Sequence, residues 1–108
     1  MGQVTWTEPA LDDLRAIIDF VAKDSPAYAA RLGTRLVEAP RRLAQSPRSG
    51  SRVPEFDLDR IREVLSIRPY RIIYELRGEH CYIVTVVHAS RDLPALFDPE
   101  NLAHGRPG

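Results

Sequence analysis

Residues 61–88, IREVLSIRPY RIIYELRGEH CYIVTVVH, decide the fold because the apolar periodicity there is two. Ile61, Leu65 and Ile67 share one parity, and Arg62, Ser66 and Arg68 share the other. Tyr70, Ile72, Tyr74 and Leu76 then alternate with Arg71, Ile73, Glu75 and Arg77. Each run predicts a strand with one apolar and one arginine-bearing face. Gly78-Glu79 predicts a two-residue hairpin turn with glycine at its first position. The run from His80 to His88 is apolar on both faces and reads as the central strand.

Upstream, the period changes to 3.6. Residues 3–7 alternate as a short strand, with Val4 and Trp6 against polar neighbours. Thr7 is placed to cap a helix, with Glu8 and Pro9 in its first turn and Leu11, Leu14, Ile18 and Val21 on one face. Ser25-Pro26 repeats the capping signal. Leu32, Leu36, Ala39 and Leu43 then extend a second, antiparallel helix to about Gln45, with Gly33 and Pro40 predicting a kink near Leu36 to Pro40. Residues 46–54 read as a loop. Downstream, Pro94, Pro99, Gly105 and Pro107 predict an irregular segment with a short helical turn around Leu96. The order β-α-α-β-β-β defines an α+β fold, an antiparallel sheet with a helical hairpin on one face and an exposed, arginine-rich opposite face. Residues 1–97 form a single domain and residues 98–108 an irregular C-terminal tail.

The chain has 108 residues, 44% hydrophobic and 28% charged, with no net charge, which suits one folded domain and excludes two-lobed enzymes. The distribution of charge is uneven: residues 1–30 carry −3, residues 31–77 carry +5 and residues 78–108 carry −2. A single cysteine, Cys81, excludes an internal disulfide and fits a reducing compartment, so a cytoplasmic location is expected. No apolar run approaches membrane-spanning length, and no membrane association is expected.

Metal and cofactor chemistry find no support in the motifs. His80 and His88 lie on one strand about 27 Å apart, no Cys-x-x-Cys or His-x-x-x-His spacing occurs, and no phosphate-binding or nucleotide fingerprint is present. Cys81, in mid-strand, reads as a small buried hydrophobe. Asp12 and Asp13 read as compensation of the helix dipole, and Asp57, Asp59 and Glu63 as solvated partners of Arg60 and Arg62. The basic set is different: Arg62, Arg68, Arg71 and Arg91, with His88, would form one positive patch if the strands align. Such a patch is either a solvated sheet face or a docking surface for phosphate or acidic protein.

Several of these segments, in this order, resemble the RelE/ParE superfamily of type II toxin-antitoxin toxins, nearer the ParE-like plasmid-stabilisation branch. They are Val4-Thr5-Trp6-Thr7 leading into Ala10-Leu11-Asp12-Asp13-Leu14, residues 20–26, Arg62-Glu63-Val64, Pro69-Tyr70-Arg71-Ile72-Ile73-Tyr74, and Val86-Val87-His88-Ala89-Ser90-Arg91-Asp92. The resemblance implies a small bacterial toxin neutralised by a cognate antitoxin whose C-terminal segment wraps it. It also implies assembly as a homodimer or a toxin–antitoxin heterotetramer.

The family divides by mechanism into ParE-like members linked to poisoning of DNA gyrase and RelE-like members that cleave mRNA on the ribosome. Matching the RelE-like pattern carries over arginines at Arg71 and Arg91. Two strand lysines of that pattern fall on Arg62 and Val64, and its C-terminal tyrosine falls on Phe97. Attack by a ribose hydroxyl needs a proton acceptor and a donor, which arginine cannot supply, so only His88 is left for that role. A non-enzymatic gyrase poison is therefore expected, with Arg62, Arg68, Arg71, His88 and Arg91 contacting the target. The alternative is an mRNA endoribonuclease using Arg71, His88 and Arg91. A further alternative is a non-toxic partner of the antitoxin. Antitoxin contacts are expected at Ile17, Phe20 and Tyr28, apolar positions at or off the core stripes of the hairpin.

Overall fold

The computed structural model describes residues 2–101. The chain enters as β1 (Val4–Trp6), turns directly into α1 (Glu8–Ala22) and returns as α2 (Pro26–Glu38). Both helices start where the capping residues place them. Thr7 Oγ1 accepts the Ala10 N–H at 3.3 Å, and Ser25 Oγ accepts the Tyr28 N–H at 3.1 Å. Thr7 Oγ1 also donates to the Ile83 carbonyl at 2.7 Å, so one hydroxyl ties the start of α1 to the sheet. At Ala39 the backbone tightens into a 3₁₀ segment, Ala39–Ala44. Pro40 cannot donate to the Leu36 carbonyl, and the tighter winding replaces the expected kink. Gly33 has a packing reason: a Cβ there would lie 2.8 Å from Ile18 Cδ1, where the two helices cross closely.

The sheet has five strands in the order β1-β5-β4-β3-β2, where β2 is Ser51–Arg52, β3 Ile61–Val64, β4 Tyr70–Arg77 and β5 His80–His88. The sheet departs from the antiparallel four-strand expectation. β1 runs parallel to β5, with Val4 opposite Cys81 and Trp6 opposite Ile83. Two residues of the expected loop pair with β3 as β2, too short a strand to leave a periodic signal. β4, rather than β5, occupies the centre; β5 is flanked on both sides only along the three residues facing β1. The β4–β5 turn has Gly78 at φ 62°, the left-handed conformation that favours glycine. β3 ends at Val64, leaving Leu65 exposed rather than continuing to Ile67. A short α3 (Leu93–Leu96) follows β5, at the expected helical turn. Residues 102–108 of the expected irregular tail lie outside the described residues.

One face of the sheet buries Ile72, Tyr74, Leu76, Ile83 and Val86 against Ala10, Leu14, Leu32, Leu36 and Leu43 of the helical layer. The Tyr74 hydroxyl donates to the Pro47 carbonyl at 2.8 Å and accepts the Gly50 N–H at 3.0 Å, pinning the loop before β2 over the core.

The opposite face corrects the sequence reading. It is not an exposed arginine-rich surface but a second small core of Val53, Ile61, Ile73, Val84 and Leu93, flanked by Phe56, Leu58, Tyr82, Val87 and Phe97. Loop residues 53–58 and α3 provide its roof. Arg71 lies within this face with its side chain only 10% exposed. Its Nε donates to Glu63 Oε1 at 2.7 Å, and its terminal nitrogens form a bidentate pair with Glu55 at 2.6 and 2.7 Å. Glu63 is buried beneath it rather than solvated beside Arg62. The two carboxylates hold the guanidinium further above its already high pKa, chiefly through the Glu55 hydrogen bonds. In return, Arg71 holds the Glu55 carboxyl below its usual range.

Two predictions follow from this packing. Arg71→Ala leaves Glu63 charged, buried and unpaired, and should destabilise the fold by about 3–5 kcal/mol in urea denaturation. Because Glu55 has a lower pKa folded than unfolded, its contribution is complete above the ordinary carboxylate range and is lost as pH falls through that range and below. Glu55→Gln should flatten that part of the stability–pH curve. Independently, Gly50→Ala should cost about 1–3 kcal/mol, since its Cβ would lie 2.6 Å from the Tyr74 hydroxyl and 2.7 Å from the Glu63 carbonyl oxygen.

Candidate functional site

The register of β4 against β5 places Tyr70 opposite His88, so the start of one strand and the end of the other form one corner. The two rings meet edge-on, with centroids 5.7 Å apart at 83°. Burial, with Tyr28 as a lesser influence, pushes the Tyr70 hydroxyl above its ordinary pKa. After His88 the chain turns sharply: Ala89 N–H donates to the Pro69 carbonyl at 2.8 Å and Arg91 N–H to the His88 carbonyl at 3.0 Å. Ser90 N–H donates to His88 Nδ1 at 3.1 Å, and Ser90 Oγ lies 2.8 Å from the same nitrogen. An Nδ1 that accepts from a backbone N–H assigns the hydrogen of the neutral ring to Nε2.

From this corner a groove of about 390 Å³ runs between α1 and α3 along the free edge of β5. β1 covers that edge only to Ile83, and beyond it Asp13 of α1 takes over. Asp13 Oδ2 accepts the Val86 N–H at 3.2 Å and the Thr85 hydroxyl at 2.5 Å. Asp13 therefore does more than compensate the helix dipole: it satisfies an edge-strand donor. Ile17, Leu96 and Phe97 form apolar walls, and His88 and Arg91 line the groove with Asp13. The arrangement offers basic donors, apolar walls and a strand edge that β1 leaves uncovered and Asp13 caps only in part, which suits recognition of an extended chain.

The five expected target-contact residues separate. Arg68, His88 and Arg91 are exposed near the β4–β5 corner. Arg71 is consumed by Glu55 and Glu63. Arg62, on the other face of the sheet, donates to the carbonyls of Asp59 and Gly50 at 2.9 and 2.8 Å and to the Asp59 carboxylate at 2.7 Å. Arg48 joins Asp59 in the same cluster, and these hydrogen bonds, led by that from Arg48, hold the Asp59 carboxyl below its usual range. Parity alone had aligned Arg62 with Arg71, but the turn between β3 and β4 reverses that relation: Arg62 lies opposite Tyr74, while Arg71 lies opposite Val87.

Of the three expected antitoxin contacts, Ile17 lines the groove, whereas Phe20 and Tyr28 stand out from the hairpin, 72% and 41% exposed. Lys23 and Arg31 lie 5.9 Å from their respective ring centres. Sequence reasoning missed Glu55, Asp13 and the Leu96 wall. One signal was available, since Thr85 is the sole polar residue between Tyr82 and His88 and its hydroxyl needs a partner. Cys81 is fully buried, its thiol pushed up to about 11 by desolvation, the state of a packing residue. His80 Nε2 lies 2.7 Å from Thr5 Oγ1, and its ring stacks on Tyr82 with centroids 4.2 Å apart. Among the described residues, no three His, Cys, Asp or Glu side chains are grouped to hold a metal ion.

Comparisons with known proteins agree with this architecture. A curated relative, Toxin RelE2 of Caulobacter vibrioides (strain ATCC 19089 / CIP 103742 / CB 15), is 37% identical over 91 residues, covering 84% of this chain and 99% of that one. A solved structure described as the chromosomal ParDE TA system from P. aeruginosa superposes with a TM-score of 0.68 at 26% identity, covering 82% of this chain and 96% of the other. The family model described as "ParE toxin of type II toxin-antitoxin system, parDE" matches residues 4–93. The chain therefore belongs to the ParE toxin family of type II toxin-antitoxin systems.

Proposed function

We propose that this toxin acts in the cytoplasm as a binding poison of DNA gyrase, with Arg68, His88 and Arg91 as the contact surface and a cognate antitoxin covering the adjoining groove. The observation that carries this reading is the commitment of Arg71 to Glu55 and Glu63. Cleavage of RNA in the RelE-like manner would need Arg71 beside the phosphate to stabilise developing charge. Its donors instead serve two carboxylates that would repel a phosphate. His88 could still exchange a proton through Nε2, but its Nδ1 is engaged by Ser90. Binding needs neither; it needs exposed donors on a rigid frame, which the β4–β5 corner supplies.

Antitoxin recognition follows from the groove. An extended segment could pair with the β5 edge past Asp13 while its side chains reach Ile17, Leu96 and Phe97, and a helical segment could pack on Phe20 and Tyr28.

Two measurements test these readings. Purified toxin, freed of antitoxin, should abolish supercoiling of relaxed plasmid by gyrase and ATP or accumulate cleaved DNA, and Arg68→Ala with Arg91→Ala should weaken the effect about tenfold or more. If folded toxin leaves gyrase unaffected but cleaves ribosome-bound mRNA, and His88→Ala abolishes that cleavage, the nuclease reading replaces this one. For the antitoxin, Phe20→Glu should weaken the toxin–antitoxin complex at least tenfold with an unchanged thermal midpoint of the free toxin; unchanged affinity would remove that face.

A further inference from the structure

The ion pairing leaves one basic surface outside the corner just described. Among the described residues, Arg48, Arg52, Arg60, Arg62 and Arg71 each meet at least one carboxylate. Arg31, Arg35, Arg41 and Arg42 meet none and are all exposed; Arg31 lies over the Tyr28 ring, and the charge of Arg42 acts on the Tyr74 hydroxyl. All four lie on one continuous ridge, α2 followed by the 3₁₀ segment, whose sole acid is Glu38. At the rises of the two helix types, Arg31 and Arg42 are about 18 Å apart along the ridge. The intervening exposed residues, Thr34 among them, are mostly small or polar. The other acids of the hairpin lie in and just after α1, with Glu8, Asp12, Asp19 and Asp24 exposed and Asp13 half-buried. The hairpin is thus acidic along one helix and basic along the other.

We infer that this α2 ridge is a binding surface for the phosphate backbone of duplex DNA. Charge complementarity carries the assignment. Four guanidiniums without ion pairs, spread over about 18 Å of chain, correspond in length to roughly five phosphates of one strand, at one per 3.4 Å of duplex axis. Guanidinium forks match phosphate oxygens in pairs. An acidic protein partner would be expected to find a large apolar anchor at the centre of the surface, and the exposed apolar side chain between Arg35 and Arg41 is Val37, a residue type seldom found as an interface anchor. The inference makes no use of His88 or Arg91, so it stands whether the toxin's target is gyrase or the ribosome. Contacts to backbone alone carry no base readout, so the binding is sequence-independent.

The test is fluorescence anisotropy of a labelled 30-bp duplex of arbitrary sequence titrated with the full chain over a series of salt concentrations. Binding should weaken as salt rises, with a log–log slope of about −3 to −4 for four contacts. The variant Arg31→Gln/Arg35→Gln/Arg41→Gln/Arg42→Gln should lose at least tenfold in affinity and most of that slope. Lys23→Gln, which removes a cation from the neighbouring turn, should change neither by more than about twofold. Circular dichroism and the thermal midpoint confirm that each variant is folded. Three results would overturn the proposal: no duplex binding at 50 mM salt, duplex binding unaltered in the fourfold variant, or polyglutamate peptide binding more tightly than the duplex at equal salt. A loss of self-association in that variant, in the absence of duplex binding by the parent, would assign the ridge to contact with the acidic helix of a second copy and equally overturn it.

Discussion

The guanidinium of Arg71, held by Glu63 from the neighbouring strand and by Glu55 from the loop above, is the constraint on which the second face of the sheet depends. One buried cation joins β4, β3 and the loop at residues 53–58, and beneath that loop Val53 and Ile73 are fully buried. A buried ion pair of this kind gives little net stability over a well-packed apolar replacement, but losing one member is costly because the other is left charged in a low-dielectric site. Its larger effect is positional. The bidentate geometry permits one arrangement of the loop over the sheet, and that arrangement closes a face which would otherwise be open.

This closure sorts the arginines into two populations. Those near the sheet and its loops find carboxylates: Arg62 and Arg48 at Asp59, Arg52 at Asp57 and Asp59, Arg60 at Glu75 and Glu100. The Arg60 pair also ties the segment after α3 to the start of β3. Among the described residues, the arginines that meet no carboxylate are Arg68 and Arg91 at the β4–β5 corner and Arg31, Arg35, Arg41 and Arg42 along α2 and the 3₁₀ segment. A chain with no net charge thereby presents local positive surfaces, which is the property that matters for an anionic partner at distances shorter than the screening length.

The groove beside β5 has an equally local origin. β1 is only three residues long because Thr7 stops it and begins α1, and the shortness of β1 leaves residues 84–88 of β5 without a strand partner on the edge away from β4. Asp13 supplies the acceptor that β1 does not, one turn and a half into the helix. The edge is partly satisfied and partly open, bounded by apolar walls, and this combination fits a polypeptide partner better than a small ligand.

Much of the architecture was legible in the sequence. The switch from a period of 3.6 to 2, the paired Thr7 and Ser25-Pro26 caps and the Gly78 turn determined the hairpin, the order of the main elements along the chain and the fold class, because these are local backbone preferences written within a few residues of one another. The family resemblance was legible on the same segments. Tertiary structure alone decided the roles of individual charges. Arg62 and Arg71 look alike as arginines in alternating strands, yet one pins a loop on the helical side and the other is buried under a loop sixteen residues before it in the chain. The parallel placement of β1, the second core and the Asp13–Thr85 contact across 72 residues were likewise decided in three dimensions. Periodicity reports which face a side chain takes within its own strand; it does not report what another part of the chain brings to that face, and for a charged residue that partner decides between anchor and free donor.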